Sequence, residues 1–257
     1  MSWRSKRQLS YIGLLILIGL GVMAMIIVPK LTVEPTCYDG KRNGDEQGTD
    51  CGGACVLYCE GQYNPVVINW ARYFPLGNSL YNVVVYGENR NLDAFTVGMN
   101  YEINIYDDSN ILLKSITGTT HIMPNGEFAI LHSNVDLSGK TPKRVVFSEL
   151  GQTKWYKMDI DRSAIPLVRD RNAQVNDWNG IPSAEATLIN ESYVDSVPMD
   201  VIILLFDKDG NAIQASKTFV DSIAAQTSKK IYFSWRNPLS AQPTVIKVLE
   251  LPNYYQN

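Results

Sequence analysis

The sequence predicts a mainly β protein with a single N-terminal transmembrane helix, a small disulfide-rich module and two tandem β-sandwiches. Three observations predict it. Residues 11–28 form an unbroken apolar run. All four cysteines fall between residues 37 and 59. Beyond them, the chain repeats its own strand and turn pattern at an offset of about one hundred residues.

The apolar run reads YIGLLILIGLGVMAMIIV, 18 residues without a charge. As a helix it is ~27 Å long, enough to cross the hydrocarbon core of a bilayer. Arg4, Lys6 and Arg7 precede it, and only Lys30 follows closely, with Glu34 beyond. That asymmetry predicts a cytoplasmic N-terminus and an exported remainder, in a protein that crosses the cell membrane once. A cleaved signal peptide has an apolar region of about 7–15 residues and then a small-x-small site. Val28-Pro29-Lys30-Leu31 offers no small pair. A pilin-like leader needs a glycine before its cleavage point and an acidic residue inside the run, and both are missing. The reading is therefore an uncleaved anchor, with residues 1–10 as tail and 11–30 as helix.

The rest is ordinary for globular domains. The chain of 257 residues is 45% hydrophobic and 19% charged, with net charge −3. Nucleic-acid binding favours a strongly basic surface, so this composition gives no case for it. The exported part is long enough for two cores.

Residues 31–62 hold Cys37, Cys51, Cys55 and Cys59. In an oxidising space, four close cysteines predict two disulfides, and a segment this short needs them because it cannot bury a core. Zinc favours tight C-x2-C pairs and a reducing compartment, and a redox C-x-x-C is absent. Three pairings exist. We expect Cys37 with Cys55 and Cys51 with Cys59, because interleaved bridges constrain a short segment more than nested ones. Between the cysteines, Asp39, Asn43, Asp45, Glu46 and Asp50 supply hard oxygen ligands spaced by glycines. This is a candidate calcium set, without the EF-hand spacing. The competing reading is that Asp-Gly and Asn-Gly are turn formers.

The pattern C-x-D-G-x-x-N-G-x-E-x-x-x-D-C-G-G-x-C, from Cys37 to Cys55, resembles a short disulfide-rich module of exported and surface proteins. It departs from the usual form in having three residues, Val56-Leu57-Tyr58, before the last cysteine. The resemblance implies an exported module rather than a catalytic one.

The repeats have three anchors in the same order. YEINIYDDSN (101–110) answers VIILLFDKDGN (201–211). PKRVVFSEL, from Pro142, answers PTVIKVLEL, from Pro243. Upstream, VVVYGENRN (83–91) answers EATLINES (185–192). Tyr101, Ile103 and Ile105 alternate with Glu102 and Asn104, the period of a half-buried strand. Short β-branched or aromatic runs at 83–86, 128–131, 145–147, 201–206, 230–233 and 245–249 read as further strands. The Asp-Asp-Ser-Asn and Asp-Lys-Asp-Gly-Asn segments read as hairpin turns. Strands at this density predict sandwiches at 63–164 and 165–257, with Tyr106 and Phe206 at equivalent strand ends.

A strand ending N-x-S/N, an apolar strand ending L/I-F/Y-D-x-x-G/N, and a Pro-led V-x-V-x-x strand together resemble the FxLYD-type family. These are immunoglobulin-like sandwiches of prokaryotic surface proteins. LLFDKDGN fits better than NIYDDSN, which lacks the glycine. The resemblance implies an Ig-like fold and an extracytoplasmic setting, and names no ligand.

No enzyme motif is present: no P-loop, G-x-G-x-x-G, G-x-S-x-G or H-E-x-x-H. We assign no catalytic residue and read the protein as not an enzyme. The two histidines, His121 and His132, have no partner motif and read as surface or satisfied side chains. Asn190-Glu191-Ser192 is a permissible N-glycosylation sequon. Aromatic residues gather at the repeat edges: Trp70, Tyr73 and Phe74 before the first, Trp155 and Tyr156 after it, Trp178 in the linker, Tyr254 and Tyr255 at the end. Packing accounts for most of them, and an exposed set suits a surface glycan or a protein partner. The function expected is non-catalytic binding, adhesion or envelope architecture. The rival is an accessory subunit of an envelope machine such as a pilus or secretion apparatus, its helix packed among other membrane helices through Gly13, Gly19, Gly21 and Ala24.

Overall fold

The computed structural model describes residues 3–31, 34, 36–158 and 168–253. The chain forms two compact units, Met1–Cys55 and Val56–Asn257. The first begins with α1, Trp3–Leu31. Its segment Gln8–Val28 is long and apolar enough to cross a membrane, and none of it is buried in protein. Leu15, Leu17 and Met25 expose 68%, 68% and 80% of their surface, which in water would be a large penalty.

The second unit is all β. The first sandwich consists of β1 (Val67–Gly77), β2 (Leu80–Asn89), β3 (Ala94–Tyr106), β4 (Leu112–Ile122), β5 (Gly126–Asp136), β6 (Arg144–Glu149) and the short β7 (Tyr156–Lys157). The second consists of β8 (Val168–Asn176), β9 (Ser183–Asn190), β10 (Met199–Phe206), β11 (Ala212–Val220), β12 (Ser228–Ser234) and β13 (Val245–Pro252). One sheet of the first sandwich has order β1-β2-β5 and the other β4-β3-β6, with β7 beside β3. The second has β8-β9-β12 and β11-β10-β13. Strand for strand these are one topology, antiparallel throughout the named pairs.

The correspondence reaches single residues. Tyr106 pairs with Leu112 after an irregularity in register, and Phe206 pairs with Ala212 after the same irregularity. Asp107 Oδ1 accepts the N–H groups of Ser109 and Ile111, as Asp207 Oδ1 accepts those of Asp209 and Asn211. Asn110 takes φ 59° where Gly210 takes φ 78°. The left-handed position is one asparagine tolerates, which is why the first turn manages without its glycine.

Each sandwich has its own core. Val83, Val85, Ile103, Ile105 and Ile130 fill the first. Ala184, Ala186, Ile203, Leu205 and Ile231 fill the second. A further cluster joins them. Phe74, Val84, Tyr86, Ala129 and Leu131, on the outer face of β1-β2-β5, bury against Ile202, Leu204, Phe206, Ala215 and Leu249 of β11-β10-β13. Four sheets therefore stack, and β2 and β10 are apolar on both faces. That explains why VVVY and VIILLF read as continuous runs while YEINIY alternates. Positions that meet at this seam are polar in the other copy. Glu102 and Asn104 stand where β10 has Ile202 and Leu204; Glu185 and Thr187 stand where β2 has Val84 and Tyr86. Lys247 closes the seam, its Nζ 2.7 Å from Tyr86 Oη and 2.6 Å from Glu127 Oε1.

The unit that holds α1 and most of the cysteine segment runs to Cys55. Residues 56–58 ladder onto the first sandwich, with Leu57 bridged to Tyr156 and the Tyr58 N–H bonded to the Trp155 carbonyl at 2.8 Å. Tyr63 stacks on Trp155 with ring centroids 5.2 Å apart. Trp70, Tyr73 and Phe74, read as edge aromatics ahead of the first repeated motif, lie on β1, within the expected 63–164. The expected repeat boundary near Ala164, and Tyr254 and Tyr255, lie outside the described residues.

Candidate functional site

Two places concentrate polar chemistry. The first is the cysteine segment. Cys37 and Cys55 form a disulfide, Cys51 and Cys59 are also disulfide-bonded, and no cysteine is free. The acidic residues brought together here accept backbone N–H groups. Both Asp50 carboxylate oxygens receive the Gly40 N–H, at 3.1 and 3.0 Å. Glu46 Oε2 receives those of Asn43 and Asp50, at 3.3 and 3.2 Å. Asp39 receives the Lys41 N–H through Oδ1 and the Asn43 amide through Oδ2. The bond from the Asn43 side chain, followed by that from the Lys41 N–H, holds the Asp39 carboxyl below the usual carboxylate range. Gly53 sits at φ +56°, and a Cβ there would lie 1.6 Å from the Asp45 carbonyl oxygen. Backbone meets backbone at that point, so the second glycine of the C-G-G motif is required. Asp39, Glu46 and Asp50 thus fold the loop, as turn-forming residues do.

A cavity of about 200 Å³ opens beside Asn43, Asp45 and Glu46, and Asn43 Oδ1 is buried without a partner. Cys37, Glu46 and Cys55 bring their ligand atoms within 4.8 Å of one another. The two sulfurs are joined, so neither is a thiolate, and Glu46 is left as the sole cation-binding group of the three.

The second place is a cleft of about 490 Å³ between the sandwiches. The first repeat contributes Tyr101, Thr119, His121 and His132 to its walls; the second contributes Asp200 and Lys217. Its volume is that of small-molecule sites. His121 lies on β4 and His132 on β5, strands of different sheets, so the cleft opens at one edge of the first sandwich. Tyr101 Oη and His132 Nε2 share a hydrogen bond of 2.9 Å. Gly118, directly across the ladder from Tyr101, makes this reach possible, since a Cβ there would lie 2.4 Å from the Tyr101 oxygen. Burial pushes the Tyr101 phenol up. Burial also holds both imidazoles below their usual range; the charge of Lys217 adds to this at His132, and that of Asp200 opposes it at His121. Lys217 Nζ pairs with Asp200 Oδ2 at 3.1 Å. The walls thus offer neutral donors and acceptors around one internally balanced ion pair.

The sequence separates His121 from His132 by eleven positions and Asp200 from both by more, and no motif joins them. The fold of the first repeat brings the two histidines to one edge, and the packing of the second repeat against it adds Asp200. The signal that existed was the doubly apolar strand β10, which announced a covered face. The sequon residue Asn190 is fully buried, and its Nδ2 donates to the Val194 and Ile223 carbonyls at 2.8 and 2.9 Å. In the folded chain that nitrogen is closed to a glycan.

No family model and no curated protein matches the chain. Among solved structures it is similar to a Bacteroides uniformis beta-glucuronidase, at 10% identity and TM-score 0.21, over 62% of this chain and 22% of that one. It is also similar to the N-terminal CBM22-1-CBM22-2 tandem domain of Paenibacillus barcinonensis Xyn10C, at 7% identity and TM-score 0.17, over 87% and 90% of the two chains. This chain spans less than a quarter of the glucuronidase. Scores this low carry no argument about activity or ligand.

Proposed function

We propose that this is a single-pass, membrane-anchored protein that displays its two sandwiches outside the cytoplasm and works by non-catalytic binding. The observation that carries this reading is α1, whose apolar side chains have no protein to cover them. A bilayer would cover them. The disulfides agree with export, because such bonds persist in oxidising compartments. The buried Asn89 and Asn190 and the Asp107 and Asp207 turns support reading the sandwiches as tandem FxLYD-type Ig-like domains. The seam makes the sandwiches one body, and a cleft between two fixed domains is where ligands commonly bind.

Protease added to intact cells, or to spheroplasts where an outer membrane intervenes, should digest epitopes in residues 56–257. Survival of those epitopes until lysis would sink the proposal. The rival reading, a subunit of an envelope machine, draws on the open space at Gly13, Gly19 and Gly21, where a neighbouring helix could approach. Cysteine cross-linking from Gly13→Cys in native membranes separates the two. Capture of one stoichiometric membrane partner favours the machine, and no captured protein favours the lone anchor.

A further inference from the structure

The two sandwiches enclose a second cleft, of about 410 Å³, and its chemistry differs from the first. The first cleft lies against Asp200, Ile202 and Lys217, near the start of β10. The second lies against Ala212 and Ile213, beyond the end of β10, and against Ser240. In the first repeat it opens between β1 and β6, the edge opposite His121 and His132. Arg72, Lys143 and Arg144 line it, and no carboxylate does.

We propose that this cleft binds an anionic ligand bearing carboxylate or phosphate groups. Three cations gather here in a chain whose net charge is −3. Among the described residues, none of the three has a carboxylate within ion-pair distance. The first cleft is different, since its lysine is neutralised by Asp200. Two of the cations are held in place. The Arg72 guanidinium lies over the Trp70 ring, 5.6 Å from its centroid, and that of Arg144 lies over Tyr106 at 4.8 Å. Asn110 Oδ1 accepts one N–H of Arg144 at 3.2 Å. Stacking occupies the face of a guanidinium and leaves in-plane N–H donors free, in the fork that matches a carboxylate or phosphate. Less side-chain freedom is then lost on binding. Trp70 itself is fixed because it packs on the seam, with Tyr86 at 5.2 Å and Phe206 at 6.5 Å. The second repeat therefore completes the site, by setting the ring beneath Arg72 and by lending Ser240. The inference rests on this geometry and not on the topology proposed above.

The test is titration calorimetry of the full chain in nanodiscs of zwitterionic lipid. The probes are pyrophosphate, trigalacturonate and, as a neutral control, maltotriose. Vesicles containing phosphatidylglycerol form a separate arm. We expect at least one anionic probe to bind with Kd below about 1 mM and the neutral sugar not to bind. Binding should weaken as salt is raised. Arg72→Gln and Lys143→Gln should each weaken it roughly fivefold, while Thr119→Ala, in the other cleft, leaves it unchanged. Pyrophosphate alone would identify a phosphate ester, trigalacturonate an acidic saccharide, and the vesicles a lipid headgroup. Both substituted side chains are exposed, and an unchanged melting midpoint verifies folding. If no anionic probe binds, or if the two glutamine variants bind like the parent, the cations are merely solvated and the proposal is overturned.

Discussion

Asn89 and Asn190 stand 101 residues apart and make the same hydrogen bonds in the two repeats. Asn89 Nδ2 donates to the Ala94 and Met123 carbonyls, and its Oδ1 accepts the Asn91 N–H. Asn190 Nδ2 donates to Val194 and Ile223, and its Oδ1 accepts the Ser192 N–H. Both are buried, at 1% and 0% exposure. Each ties the loop after the second strand to the loop after the fourth.

Replacing either by alanine leaves two carbonyls without their donor, one of them in a buried bond. We expect Asn89→Ala and Asn190→Ala each to lower unfolding free energy by about 3 kcal/mol. Asn190→Asp should be at least as harmful, because a carboxylate cannot donate. Urea melts measure both, and a loss under about 1 kcal/mol would contradict the network.

Leu204 is fully buried in the seam. Leu204→Ala should cost about 3 kcal/mol by cavity formation. The parent should unfold in one transition. Leu204→Asp, which places a charge in the seam, should split it in two, as calorimetry would show. A parent with two independent transitions would mean that the seam does not couple the repeats.

Glu250 gives a pH signature. Burial pushes its carboxyl up to about 7, and the charge of Asp170 adds to the rise. One of its oxygens, Oε1, is buried without a partner. The folded pKa is above the ordinary 4.5, so its contribution to stability is whole below 4.5 and is lost as pH rises through about 7. The loss is about 3 kcal/mol. Glu250→Gln should therefore raise the melting midpoint at pH 8 and leave it unchanged at pH 4. His121 and His132 act oppositely. Their folded values are depressed, so the stability they contribute is present above their ordinary 6.5 and declines as pH falls below it.

In the cysteine segment, Gly53→Ala should prevent the native Cys37–Cys55 bridge from closing, because no side chain fits against the Asp45 carbonyl. Thiol counting under non-reducing conditions would reveal it. Millimolar calcium should not shift the parent's midpoint, since the Asp39, Glu46 and Asp50 oxygens already hold N–H groups. A shift abolished by Asp45→Ala would restore the calcium reading.

Much of the architecture was legible because it is periodic. Alternation in YEINIY, the repeated Asp-led turns and the 101-residue step in the asparagines lie on the surface of the sequence. Strands β1 and β4 were not read as strands. VINWARYFPLG mixes polar and aromatic residues around an irregular register, and LLKSITGTTHI faces a polar outer layer, so neither shows a clean period. The clefts were illegible for another reason. Arg72 and Ser240, or His121 and Asp200, become neighbours only when one repeat lies on the other, and no short-range pattern encodes that.

The seam also fixes the order of the copies. It joins the β1-β2-β5 sheet of the first to the β11-β10-β13 sheet of the second, two faces that are not equivalent under the repeat. Exchanging the copies along the chain would set Glu102 and Asn104 against Glu185 and Thr187, and leave two greasy sheets in water. Deleting one copy would bare Phe74, Val84 and Tyr86, or Ile202, Leu204 and Phe206, a patch of the kind that drives aggregation. Each copy is thus the solvent shield of the other, and neither is a freestanding unit that can be moved or removed alone.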